Sequence, residues 1–199
     1  MDVIHTKSRC RTDRGGGHSN SFVTSRGFTL LELIVVIAVA SILLGLGVPS
    51  LGPFLSSERG VTRMNNLAAS LALTRSEAIK RNQHVVLCKS PGGEYCQRKG
   101  ASWHDGWIVF VDRDHDRRRG DDEPIIQHQG SGNVDQTLTY AAFGSRHYIT
   151  YRPSGMTRTN GTFTLCDPRY PDNARALILM KTGRVRSSRV KANGEPLEC

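Results

Sequence analysis

The sequence lacks what an enzyme or a metalloprotein of the common kinds would show. No nucleophile motif frames its serines, none of its five cysteines stands in a CxxC pair, and its seven histidines are scattered without ligand spacing. Zinc needs closer Cys/His spacing, and Ser-His-Asp chemistry needs a framed nucleophile. Neither catalysis, nor a metal, nor a cofactor is therefore expected. Internal repeats are absent too. Aromatic residues make up only 7% of the chain. Trp103, Trp107 and Phe110 stand beside the best strand pattern and are expected in the core rather than as a platform for stacked bases. Acid is also in short supply: 18 Asp and Glu face 27 Lys and Arg, a formal net charge of +9. That excess favours acidic partners such as nucleic acid or anionic lipid, and says nothing of the fold.

What is present falls into three parts. Residues 1–27 are polar and Gly-rich, with Lys7, Arg9, Arg11, Arg14 and Arg26 against Asp2 and Asp13. Nothing there repeats with an apolar period, so no regular structure is expected. Residues 28–48 form a nearly unbroken apolar run of 21 residues. As a helix it would rise about 30 Å, the thickness of a bilayer's hydrocarbon core. The basic stretch before it belongs in the cytoplasm, which places the rest of the chain across the membrane. A secretory signal peptide would be cut after the run, behind an A-x-A-like pattern, and none precedes Pro49. A plain anchor leaves Glu32 unexplained. A carboxylate inside an apolar span is costly unless a cation pairs with it, so it marks a functional site.

Pro49 and Pro53 should kink or interrupt the helix. Beyond them Val61, Met64, Leu67, Ala68, Leu71, Ala78 and Ile79 recur at helical spacing. The helix is expected to end near Asn82. From His84 the pattern changes to short runs at 84–89, 107–111, 124–127, 138–140, 148–151, 162–166 and 176–180, separated by Gly, Asn and Pro. The expected fold class is therefore α+β: a long N-terminal helix, 28–82, packed on a small antiparallel sheet domain at 83–199. Cys10 lies in the basic leader. Cys88, Cys96, Cys166 and Cys199 remain, and outside the cytoplasm two disulfides are the default. Three pairings are possible. Cys88–Cys96, closing a short loop at a strand end, and Cys166–Cys199, pinning the C-terminal tail, are favoured.

Arg26-Gly27-Phe28-Thr29-Leu30-Leu31-Glu32-Leu33 closely resembles the processing motif of type IV prepilins and type II secretion pseudopilins. The resemblance implies cleavage between Gly27 and Phe28 by a membrane prepilin peptidase, and N-methylation of Phe28. It also implies pairing of Glu32 with a neighbouring subunit's amino terminus in a filament. The stretch from Leu71 to Asn82, Val85-Val86-Leu87-Cys88, and Trp103-x-x-Gly106-Trp107-Ile108-Val109-Phe110-Val111-Asp112 look like the GspH/FimT branch. This implies a single-pass inner-membrane protein with a periplasmic β-rich domain. Its partners would be other pilins or pseudopilins. Gly183-Arg184-Val185-Arg186 resembles the GRxR motif of FimT proteins, which implies non-specific binding of double-stranded DNA for uptake in natural transformation. The alternative is a pseudopilin with a structural role in type II secretion.

Two charged segments carry the remaining readings. Residues 181–191 hold five cations and no acid: Lys181, Arg184, Arg186, Arg189 and Lys191, with Gly183 as a turn. Arg184 and Arg186 have the spacing that puts both on one face of an extended segment, where guanidinium forks can grip successive phosphates. The bland reading is a solvated basic tail. Asp112, Asp114, Asp116 and Glu123 occupy the first, third, fifth and twelfth places of a calcium loop pattern. The sixth place, where Gly belongs, is Arg117, the flanks read as strands, and three arginines would repel the ion. A solvated hairpin loop with internal ion pairs is expected instead.

Overall fold

The computed structural model describes residues 27–47, 51–132 and 135–199. Residues 1–26 of the leader and Pro49 lie outside the described residues. The chain divides into two compact units, the second beginning at Gly45.

Helix α1, Leu30–Gly47, lies in the first unit except for its last three residues. Thr29 starts it: its hydroxyl accepts the Glu32 N–H at 3.2 Å and its carbonyl the Leu33 N–H at 3.1 Å. This is the N-cap arrangement that such a residue favours. Side chains 30–45 are exposed all round. Among the described residues no helix is long and apolar enough to cross a membrane. The 18 residues of α1 rise about 27 Å, just short of a ~30 Å hydrocarbon core.

Helix α2, Leu51–Arg81, lies in the second unit. Pro53 does not interrupt it. It sits in the first turn, where the backbone needs no N–H donor. The helix ends as the sequence expects. Asn82 takes φ 53°, and the Gln83 N–H reaches back to the Ala78 carbonyl at 3.3 Å, a left-handed C-terminal cap. Met64, Leu67, Leu71 and Ala78 are buried. Ile79 is not, being 51% exposed. Polar residues take its place on the buried face. Ser70 and Thr74 return their hydroxyls to the carbonyls of Asn66 and Ser70, and Ser70 also accepts the Trp107 Nε1–H at 2.9 Å.

Eight strands follow: β1 His84–Lys89, β2 Trp107–Asp112, β3 Ile125–Gln129, β4 Thr137–Ala142, β5 Tyr148–Tyr151, β6 Gly161–Cys166, β7 Arg175–Leu179 and β8 Val185–Ser188. They form not one sheet but two four-stranded antiparallel sheets, ordered β3-β2-β1-β5 and β4-β6-β7-β8. α2 packs on β1, β2, β5, β7 and β8. One core therefore joins Leu67 and Leu71 of α2 to Val85, Leu87, Trp107, Val109 and Tyr151 of the first sheet and to Tyr140, Phe163, Leu177 and Leu179 of the second. Trp103, Trp107 and Phe110 are all buried, as the sequence suggests. The first sheet has a second apolar layer of Val86, Cys88, Ile108 and Phe110, over which Cys96 packs. Coverage on both faces is why β1 and β2 read as continuous apolar runs. The disulfides join Cys88 to Cys96 and Cys166 to Cys199.

Candidate nucleic-acid interface and N-terminal assembly segment

Gly27 and Phe28 lie ahead of α1; among the described residues no atom comes within 4 Å of where a Gly27 Cβ would stand, and Phe28 is 84% exposed. Glu32 occupies the first turn of α1, where the exposed N–H groups and the helix dipole favour a carboxylate. Its backbone N–H bonds the Thr29 hydroxyl, while its carboxylate makes no hydrogen bond or ion pair among the described residues.

The basic segment 181–191 is not a tail hanging from the fold. Its first half is a hairpin. The Gly183 N–H donates to the Met180 carbonyl at 2.9 Å, the Met180 N–H to the Arg184 carbonyl at 2.9 Å, and β8 then pairs with β7 from Leu179↔Val185 to Ala176↔Ser188. The segment reads as a charge run because Val185 is its one apolar residue within β8, and Val185 packs against the core. Gly183 is required at the turn. Its φ is +80°, and a Cβ there would collide with the Gly155 carbonyl and come 3.0 Å from the Tyr151 ring. The buried Tyr151 hydroxyl donates to the Gly183 carbonyl at 3.2 Å, fixing the turn from below.

Lys181, Arg184, Arg186 and Arg189 are exposed, and their side chains make no ion pair or hydrogen bond among the described residues. Lys191 differs. It pairs with Glu198 at 2.9 Å and Glu195 at 3.6 Å, and the hydrogen bond to Glu198 raises its pKa. Its charge is answered by acids that the 181–191 window omits. Arg189 lies beside Arg175, whose pKa falls, first by burial and then by that neighbouring charge.

The structure adds cations that the linear pattern does not reveal. The Thr157 N–H donates to the Lys181 carbonyl at 3.0 Å, which stitches the β7–β8 turn to the loop carrying Arg152 and Arg158. Arg75 of α2 lines a groove of about 310 Å³ with Gly183 and Arg184. Arg152 and Arg158 line a larger cleft of about 700 Å³ with Arg117, His84 and His115. The His84 and His115 rings lie 4.0 Å apart. Burial lowers the His84 pKa most, and the neighbouring His115, Arg152, Arg158 and Arg117 lower it further.

Residues 63–189 match the family described as type II transport protein GspH, and residues 24–48 match the prokaryotic N-terminal methylation motif. Pilin-like protein PilA1 of Thermus thermophilus is 36% identical over 112 residues, 56% of this chain and 64% of that protein. The chain thus matches less than two thirds of that relative's length. The type IV minor pilin FimU of Pseudomonas aeruginosa superposes with a TM-score of 0.52 at 18% identity, covering 66% of this chain and 91% of that one. At that identity the likeness speaks for the fold alone. The chain belongs to the GspH/FimT family of type IV pilin-like proteins.

Proposed function

We propose that this chain is a minor type IV pilin that binds the DNA backbone without sequence preference through its β7–β8 turn. Lys181, Arg184, Arg186 and Arg189 carry the reading, because four cations along a turn and its edge strand β8 are exposed and unpartnered among the described residues, and the turn's glycine is sterically required. Elsewhere the domain does pair exposed charge, as in Arg81–Glu77 and Arg169–Asp135. Arg75, Arg152 and Arg158 extend the surface to either side. Guanidinium forks suit phosphate, and phosphate contacts position a protein without reading bases. Lys191 contributes less, its charge being already paired.

The N-terminal segment would assemble the protein. Cleavage after Gly27 leaves Phe28 at the terminus, five positions from Glu32 counted inclusively. An all-round apolar helix such as α1 needs lipid or other apolar helices around it. The 21-residue run 28–48 supplies a span of about 30 Å when intact, so the reading is of an inner-membrane subunit drawn into a filament. DNA retardation by the full chain in detergent tests the binding. Changing Arg184 and Arg186 together to Ala should weaken it at least tenfold. Retardation equal to the parent's would leave the GspH reading, a pseudopilin with a purely structural role.

A further inference from the structure

The 112–123 loop joins β2 to β3 and holds carboxylates in an unusual state. Asp112, the last residue of β2, is 1% exposed. Its Oδ1 accepts the Arg117 N–H at 3.3 Å, while its Oδ2 has no hydrogen-bond partner among the described residues. A carboxylate oxygen left unanswered at that depth is costly and calls for a missing contact. Asp114 and Asp116, both exposed, stand beside it, and one oxygen from each of the three lies within 4.8 Å of the others. Oxygens ligating one calcium ion at about 2.3–2.6 Å stand no more than about 4.6–5.2 Å apart, which this spacing allows.

The flanks are strands, β2 and β3, as the sequence indicates, but the objection from the sixth place does not hold in the fold. Arg117, at the sixth place, takes φ +63°, the left-handed backbone that glycine provides in such loops. Of the three arginines 117–119, Arg118 is exposed to solvent, and the other two, like Arg113, have contacts of their own. Arg113 donates to the Asp122 carbonyl, Arg117 lies 5.7 Å from the Tyr148 ring centre, and Arg119 donates to the Glu123 carbonyl and lies 5.4 Å from the Tyr95 ring centre. Glu123, at the twelfth place, is 3% exposed, and its oxygens accept the N–H groups of Arg113 and Gly120 at 2.6 and 2.9 Å. It closes the loop around the three aspartates.

We propose that this loop binds one calcium ion through Asp112, Asp114 and Asp116, with Glu123 holding the loop shut around it. The inference is independent of the DNA reading. The two meet only in that Asp112, His115 and Arg117 also line the cleft of Arg152 and Arg158, so the ion would stiffen one wall of it.

The test is thermal unfolding of the full chain in detergent, with chelator, with about 10 mM calcium, and with the same magnesium. That concentration exceeds the ~0.1–1 mM dissociation constants of extracellular calcium modules. Calcium should raise the midpoint by about 3–10 °C, and magnesium clearly less. The D114N/D116N variant keeps acceptors for the local turns and alters only exposed side chains, so it should melt with the parent in chelator and lose the calcium shift. Calorimetric titration of the parent should give one ion per chain. No calcium shift, an equal magnesium shift, an undiminished shift in D114N/D116N, or a stoichiometry other than one would each overturn the proposal.

Discussion

Gly183→Ala should damage both the fold and the proposed DNA surface, and Gly194→Ala provides its control. Gly194 has φ +88° but, among the described residues, nothing within 4 Å of a would-be Cβ, so alanine there costs only the left-handed backbone, about 1–2 kcal/mol. Gly183 has a similar φ, +80°, but its Cβ would press on the Gly155 carbonyl and the buried Tyr151 ring. Moving either strains the hydrogen bond from the Tyr151 hydroxyl to the Gly183 carbonyl. A buried hydroxyl that loses its acceptor costs about 1–3 kcal/mol more. The expected totals are about 2–5 kcal/mol at 183 against about 1–2 kcal/mol at 194. At roughly 2–4 °C per kcal/mol, the extra ~1–3 kcal/mol should lower the unfolding midpoint about 2–12 °C further for Gly183→Ala, measured by circular dichroism. DNA affinity should fall with it and stay unchanged for Gly194→Ala. Equal losses of stability in the two variants would show that the close approach to Gly155 and Tyr151 does not constrain the turn.

Three further outcomes are expected. Glu32→Val should leave the protein in the membrane fraction yet largely exclude it from filaments; normal incorporation would show that the carboxylate serves only to cap α1. His84 has its pKa lowered from 6.5, mainly by burial and then by His115 and the cleft arginines, so the unfolded chain takes up a proton before the folded one does. Stability should be full above about pH 6.5 and decline as the pH falls below it; urea titrations of His84→Asn should show a flatter decline, and an unchanged profile would exclude this residue. Removing the Cys166–Cys199 bridge, which spans 33 residues, should cost about 3–4 kcal/mol on the chain-entropy account. DNA binding of the Cys166→Ser/Cys199→Ser variant, read on folded protein, should nevertheless change little, because pairing with β7 holds β8 in place. A large loss of affinity would mean that the bridge orients the cations.

Much of the architecture was legible because it rests on local signals. The β1 and β2 runs are apolar on both faces, and the α2 stripe marks Met64, Leu67 and Leu71 as buried. What escaped depends on partners distant in sequence. Arg63 is buried against all helical expectation because its guanidinium lies 4.3 Å from the Trp107 ring centre and donates to the Gly130 and His104 carbonyls. Ile79 is exposed although it falls near the apolar stripe. Strand β8 was hidden by its charge, since Val185 alone packs inward while Arg186 lies opposite Ile178 on the edge strand. At the candidate site, Lys181, Gly183, Arg184 and Arg186 could be named from the chain. Arg75, Arg152 and Arg158 could not, because the Thr157–Lys181 hydrogen bond and the packing of α2 bring them near. Lys191 was counted with the free cations because Glu195 and Glu198 lie beyond the window that defines the basic run.

The most direct test of the proposed function is the salt dependence of DNA binding, measured by fluorescence anisotropy with a short labelled duplex and the full chain in detergent. Each phosphate neutralised contributes about −0.9 to the slope of log affinity against log salt. Four exposed cations, Lys181, Arg184, Arg186 and Arg189, predict a slope of about −3 to −4. The Arg184→Ala/Arg186→Ala variant should be shallower by about 2 and equally indifferent to base sequence. Identical slopes and affinities for parent and variant would contradict the assignment of DNA binding to this turn.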